Sequence, residues 1–297
     1  MIDAFTTPQV YVPSPMPDNP QPAPAFALPG HDVLAVTGRD SLAFAQAQFM
    51  NDVAALADGG WQWNGWLTPK GRVVALFALL RLDAETLWLL LPDAGAAALV
   101  AQLQRYVFRS KLKLEARADL RASGRFAPPA HAAGATLGRD GDAVELDVGG
   151  EGGPRSLRIA AEDSAGDDAL VEDWRRFDLR HGLPRLAAAQ AEQWTPQQLS
   201  LQRLGAYSVK KGCYPGQEIV ARTHFLGQAK RGLALFEAGA PPAAGADVMA
   251  DGRAIGTVAS VAGNLALAVL PLERGDTVLT VDGVALCEQP LLAGLQR

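Results

Sequence analysis

From Arg231 onward the sequence breaks into short apolar runs punctuated by turn residues, and this texture constrains the fold more than any other stretch. Leu233–Phe236, Val248–Ala250, Ala254–Val261, Ala266–Leu270, Thr277–Val281 and Val284–Cys287 each have strand length. Asp251-Gly252 and Asp282-Gly283 are two-residue hairpin signals, because a tight type I′ turn needs positive φ at both positions. Six short strands in roughly 65 residues read as a small antiparallel β-barrel. Residues 230–297 are assigned to it.

The preceding chain has a different rhythm. Residues 1–29 carry eight prolines and no hydrophobic period, the pattern of a flexible or polyproline-like arm. Val33–Thr37 reads as a strand, and Leu42, Ala45, Phe49 and Val53 recur at helical spacing after a cap at Asp40 or Ser41. Trp61–Leu67, Arg72–Leu82 and Thr86–Leu91 read as strands, Asp93 to Tyr106 as a helix, and Lys111–Arg117 as a closing strand. Helices packed on one face of a mainly antiparallel sheet are expected for this first lobe, residues 30–117.

A second lobe, 118–229, which may interleave with the first, begins with weakly patterned strands and the cluster Gly149-Gly150-Glu151-Gly152-Gly153. No GKS or GKT follows the cluster, so it reads as a hairpin loop and not as a phosphate cradle. Asp167 and Asp168 open a helix to about His181, stopped by Gly182, with Leu170, Trp174 and Phe177 on one face. Burial statistics favour Trp174 as a core anchor over a ligand contact. Thr195-Pro196-Gln197-Gln198 is a capping box for a short helix ending at Gly205.

The stretch with the densest chemistry follows, Lys210-Lys211-Gly212-Cys213-Tyr214-Pro215-Gly216-Gln217-Glu218-Ile219-Val220-Ala221-Arg222. Pro215-Gly216 is a turn signal, and a helix opening near Gly216 would bring Cys213 close to its positive end. That field and the two lysines would favour thiolate over thiol, while Glu218 and Arg222 can pair at i, i+4. The bland alternative is equally physical: a lone intracellular cysteine is usually a small buried hydrophobe, and a Gly-Pro turn only a turn.

Composition limits the rest. A net charge of −5 gives no global basic footprint, so strong direct nucleic-acid binding is not expected, although a local basic patch is compatible with it. Two cysteines, Cys213 and Cys287, form no disulfide framework, and four scattered histidines show no metal-ligand spacing. No metal is expected, and this set cannot hold an iron–sulfur cluster alone. The longest apolar run, Val73–Leu80, falls short of the about 20 residues of a membrane helix, and the N-terminus does not read as a signal peptide. A cytoplasmic protein with no membrane partner is expected.

The Lys211–Arg222 stretch matches every fixed position of the K-G-C-Y-x-G-Q-E-x-x-x-R signature. It resembles that of the YgfZ family, folate-binding relatives of the glycine-cleavage T-protein. Gln48–Val53, Gly65–Arg72, Tyr106–Lys111 and Thr195–Gly205 are similar to further family blocks. The resemblance, from about residue 30 to the end, implies an α+β fold of three lobes in a T-protein-like ring: two α/β lobes with antiparallel sheets and a C-terminal barrel. It implies tetrahydrofolate or a derivative as ligand. It also implies a role in assembly or repair of iron–sulfur enzymes, including tRNA-methylthiolating enzymes, as partners. Cys213, with Lys211, is the chemically active candidate; Lys211 and Arg222 are alternatively placed to bind a folate tail or a partner's phosphate. Trp174, His31, Arg222 and Tyr214 are the implied ligand contacts, His31 standing at or beside a family tryptophan. Tyr214, Gly216 and Gln217 are expected to shape the loop with Gly212, and Glu218 to orient Arg222. Arg180 stands where the resemblance places an acid able to contact the pterin amino group, a hydrogen bond that a cation cannot accept.

Two other functions compete. A tetrahydrofolate-dependent C1 transferase, an aminomethyltransferase or demethylase, would need the T-protein aspartate, whose place is taken by Ala75-Leu76. A non-catalytic docking scaffold would tolerate loss of the cysteine. Sequence leaves open whether the protein is an enzyme.

Overall fold

The computed structural model describes residues 23–227, 229–275 and 277–297. Most of the expected proline-rich arm, residues 1–22, lies outside the described residues. Its last part is ordered into the fold: Phe26–Ala27 (β1) pairs antiparallel with Arg121–Arg125, an edge strand of the second lobe's sheet. The cause is Phe26, which is buried against Phe126 and Trp174 with ring centroids 5.7 and 5.8 Å away.

The first lobe runs Asp32–Thr37 (β2), Ser41–Gln48 (α1), Gly60–Leu67 (β3), Val73–Arg81 (β4), Thr86–Leu91 (β5), Ala96–Leu103 (α2) and Lys113–Ala116 (β6). Its strands form one antiparallel sheet in the order β3-β4-β5-β2-β6. The unbroken apolar run of β4 is explained by burial on both faces. Ala75, Phe77 and Leu79 meet the helices, beside Phe44, Ala45, Leu99 and Leu103. Leu76, Ala78 and Leu80 face the centre of the molecule.

The first helix is shorter than its apolar spacing predicts. Gln46 Oε1 accepts the backbone N–H groups of Val53 at 2.8 Å and Ala54 at 3.1 Å, and Phe49 is already extended and bridges Trp66. Asn51 then donates to the carbonyls of Trp63 and Gly205, at 2.9 and 2.7 Å. These side chains turn the chain where spacing alone would continue it. The second helix begins at Ala96, capped by Asp32 Oδ2 at 2.9 Å, because Asp93 is committed to Arg185 at 2.9 Å.

The second lobe adds Arg121–Arg125 (β7), Gly138–Asp140 (β8), Ala143–Asp147 (β9), Ser156–Ala160 (β10) and Asp168–Arg180 (α3). Its antiparallel sheet has the order β1-β7-β10-β9-β8. The glycine cluster is the β9–β10 connection, folded onto His181: a Cβ at Gly150 or Gly152 would lie 2.8 or 2.7 Å from that ring. The Thr195 capping box forms reciprocally, Gln198 N donating to Thr195 Oγ1 at 3.3 Å and Thr195 N to Gln198 Oε1 at 3.0 Å. It leads into turns and a single 3-10 turn, Leu201–Leu204, instead of an α-helix, because Ser200 is left-handed at φ 50°. Gln217–Phe225 (α4) follows.

Arg231–Ala238 (β11), Asp247–Ala250 (β12), Arg253–Ala262 (β13), Leu265–Pro271 (β14), Leu279–Val281 (β15) and Val284–Gln289 (β16) close into a six-stranded barrel. Both Asp-Gly turns have positive φ at both residues, 47° and 74°, then 49° and 79°. One central core draws on all three parts, with Trp63 and Leu80 from the first lobe, Leu157 and Trp174 from the second, and Leu235 and Leu267 from the barrel.

Candidate functional site

The candidate residues fall into two places. His31 and Trp174 line a central cavity; the cysteine motif forms a loop elsewhere, and none of its residues lines that cavity.

The loop is held from within. Lys211 is buried, and its ammonium donates to the carbonyls of Phe49 at 2.5 Å and Asn51 at 2.9 Å, with the Tyr214 ring 5.0 Å away. Burial lowers its pKa to about 8 against the pull of Asp52, so the ammonium form that these carbonyls need persists at neutral pH. Tyr214 is buried and donates from its hydroxyl to Ser208 O at 3.1 Å. Ser208 Oγ accepts the N–H groups of Lys210 and Lys211, each at 3.2 Å. Gln217 Nε2 donates to Lys211 O at 3.0 Å, and Gln197 Nε2 to Val220 O at 2.9 Å.

Gly216 opens α4 at φ 80°, pressed against the β3–β4 turn; a Cβ there would lie 2.6 Å from Thr68 O and 2.7 Å from Gly71 Cα. Only glycine fits both constraints. The expected helix start at this point is therefore present.

What remains of the motif faces outward. Cys213 is an exposed free thiol, and Lys210, Gly212, Glu218 and Arg222 are exposed beside it in sequence. Arg222 and Glu218 form the i, i+4 pair at 3.4 Å. Such an exposed pair contributes little stability. Lys211, expected as a partner of the thiol, directs its charge to two main-chain carbonyls instead.

The central cavity has a volume of about 30 Å³ and is lined by His31, Trp63, Arg155, Trp174 and Asp178 among others. Arg155 is 1% exposed, and its guanidinium lies 3.9 Å from the Trp174 ring centroid and 4.0 Å from that of Phe177. Its Nη2 pairs with Asp178 Oδ1 at 2.7 Å, and Arg185 approaches Asp178 Oδ2 at 3.2 Å. The acid facing this cavity is thus Asp178, one helical turn after Trp174. Arg180, expected at that role, is exposed at the end of α3. The i, i+4 spacing from Trp174 was the available signal.

A planar ligand of folate type needs a pocket of several hundred Å³. The cavity here holds a water or two. Its aromatic walls and carboxylate suit a pterin chemically, but Arg155 occupies the space, so the residues present do not fit that ligand.

His31 and His181 are both kept neutral. Burial and the nearby charge of Arg185 hold His31 well below its ordinary 6.5, and its Nδ1 has no hydrogen-bond partner among the described residues. Burial also lowers His181, whose Nδ1 lies 2.8 Å from Phe177 O while Nε2 accepts from Gly152 N at 3.1 Å. The unfolded chain protonates both near pH 6.5, while the folded chain does not. Stability is therefore expected to be fully present above that pH and to fall below it, a trend that denaturation midpoints between pH 7 and about 5 would measure.

Comparison with known proteins agrees with this architecture. The profile of the CAF17 C-terminal beta-barrel domain matches residues 225–289. The glycine cleavage system aminomethyltransferase T from Bartonella henselae superposes with a TM-score of 0.70 at 18% identity, over 93% of this chain and 87% of that one. The fold is accordingly that of an aminomethyltransferase T. The tRNA-modifying protein YgfZ of Escherichia coli O157:H7 (strain EC4115 / EHEC) is 29% identical, covering 93% of this chain and 95% of its own. That of Klebsiella pneumoniae (strain 342) is 30% identical over 286 residues, 88% of this chain and 85% of the relative. With the T-protein-like fold, the barrel and these relatives across most of its length, the chain belongs to the YgfZ family of tRNA-modifying proteins.

Proposed function

We propose that this protein is an accessory factor in tRNA modification that supports iron–sulfur enzymes, among them those that methylthiolate tRNA, and that it acts through the thiol of Cys213. One observation carries the reading: Lys211, Tyr214 and Gln217 turn their polar groups inward to fix the loop, while Cys213 stands exposed. A thiol kept only for packing would be buried. A thiol on a fixed, exposed loop is within reach of a client's cysteines or cluster. Lys210 and Arg222 supply exposed cations to an acidic client surface or a phosphate.

No step of the proposal runs through a folate-type ligand, because Arg155 fills the space between Trp174 and Phe177 that a planar ring would take. C1 transfer is disfavoured because Ala75 and Leu76 are buried and apolar where the resemblance places the required acid.

The test is restoration of tRNA methylthiolation in a bacterial strain lacking its own YgfZ protein. Cys213→Ala is expected to abolish restoration, with stability unchanged to within about 0.5 kcal/mol because the side chain is exposed. Full restoration by the variant would discard the thiol and leave the docking-scaffold reading.

A further inference from the structure

The end of α2 carries a feature used by neither the cysteine loop nor the central cavity. Residues 104–106 continue the helix as a 3-10 turn, and buried Val107 anchors the chain in the first-lobe core. Phe108 follows at φ 42° with 86% of its surface exposed. A left-handed residue at a helix end is ordinarily glycine or asparagine, and a bulky side chain there is an outlier. The Phe108 ring is not part of any hydrophobic core; the Arg109 guanidinium lies 5.2 Å from its centroid. Tyr106 is also exposed, with Arg105 6.0 Å from its ring, and rests edge-on against Trp66 at 5.9 Å.

The charge around these rings has one sign. Between Asp93 and Glu115 the chain has no acidic residue and four cations, Arg105, Arg109, Lys111 and Lys113, within a protein of net charge −5. Lys113 is paired with Glu115, and the Asp40 carboxylate accepts the backbone N–H of Lys111 at 2.6 Å. The side chains of Arg105, Arg109 and Lys111 form no ion pair among the described residues. The knuckle also sits close to the cysteine loop, since Phe49 bridges Trp66 and gives its carbonyl to Lys211.

We propose that the Arg105–Lys111 knuckle is a contact site for single-stranded RNA, with an unpaired base stacked on Phe108 and the flanking phosphates held by Arg105, Arg109 and Lys111. Exposed aromatic faces interleaved with unpaired cations match the two things such a strand offers, a π face and a regular negative charge. A protein interface would instead centre on apolar residues depleted of charge. A contact of this size is weak and salt-sensitive, consistent with the acidic balance of the whole chain. The inference deepens the proposed function by naming a partner, and it rests on that reading only for which RNA is met.

The experiment is fluorescence anisotropy of the full chain with a labelled, unstructured ribo-oligonucleotide of about ten nucleotides, at rising salt. Wild type is expected to bind at low salt and release as salt rises. Phe108→Gly removes the ring and relieves the backbone, so affinity is expected to fall about tenfold while the thermal midpoint holds or rises. Arg105→Glu with Arg109→Glu is expected to flatten the log–log salt dependence by about 1. Absence of salt-sensitive binding, or wild-type binding by both variants, overturns the proposal. So does a Phe108→Gly protein whose thermal midpoint falls with its affinity, since the ring is then structural. If RNA binding fails while wild type still restores tRNA methylthiolation, this inference falls alone and the functional reading stands.

Discussion

Asp178→Ala is expected to lower the stability of the folded protein by about 3–5 kcal/mol, the cost of removing one partner from a buried ion pair. Asp178 is 2% exposed and faces two arginines. Arg185 keeps Asp93 at 2.9 Å, but Arg155 loses its only carboxylate and retains just the carbonyls of Val148 and Trp174. Its guanidinium is too deeply enclosed for water to replace the charge. Urea denaturation monitored by tryptophan fluorescence would measure the loss. A decrease below about 1 kcal/mol would mean that the aromatic faces of Trp174 and Phe177 compensate the charge without help.

Gly216→Ala is expected to destabilise by about 2–5 kcal/mol, combining the left-handed backbone penalty with overpacking. The added methyl would meet backbone on two sides, Thr68 O and Gly71 Cα, neither of which can rotate away. The damage should be localised to the cysteine loop, so the rate at which a thiol reagent modifies Cys213 should change in step with the denaturation midpoint. Gly212→Ala is the control, because a Cβ there meets nothing within 4 Å. It is expected to stay within about 0.5 kcal/mol of wild type. Equal behaviour of the two variants would contradict the described packing.

Legibility in sequence followed the range of the forces involved. The barrel was readable because its Asp-Gly turns and alternating strands are set by neighbours in the chain, and the observed φ values are those the turn type requires. The third helix was readable from the Trp174 and Phe177 stripe, yet the acid on the same face, Asp178, was passed over in favour of Arg180 two residues on. The first helix was overestimated because Asn51 finds Gly205 O, a partner 154 residues away that no local spacing reveals. Lys211 is the sharpest case. Beside a cysteine it reads as an electrostatic activator, but its acceptors lie 162 and 160 residues earlier in the chain. Arg155 was silent in sequence altogether, since nothing local marks an arginine that will be enclosed by two aromatic rings.

The inward and outward halves of the cysteine loop carry different kinds of information within one string of letters. Lys211, Tyr214, Gly216 and Gln217 are addressed to this chain itself, and any sequence that keeps them can be expected to build the same loop. Cys213 is addressed to whatever meets the surface, and the loop's internal bonds make no demand on it. A homologue with another residue at that one position would keep the architecture and its likeness to the family while losing the thiol. Recognising the loop and recognising its chemistry are therefore separate acts, and only the identity of the single outward letter distinguishes a working member from a silent one.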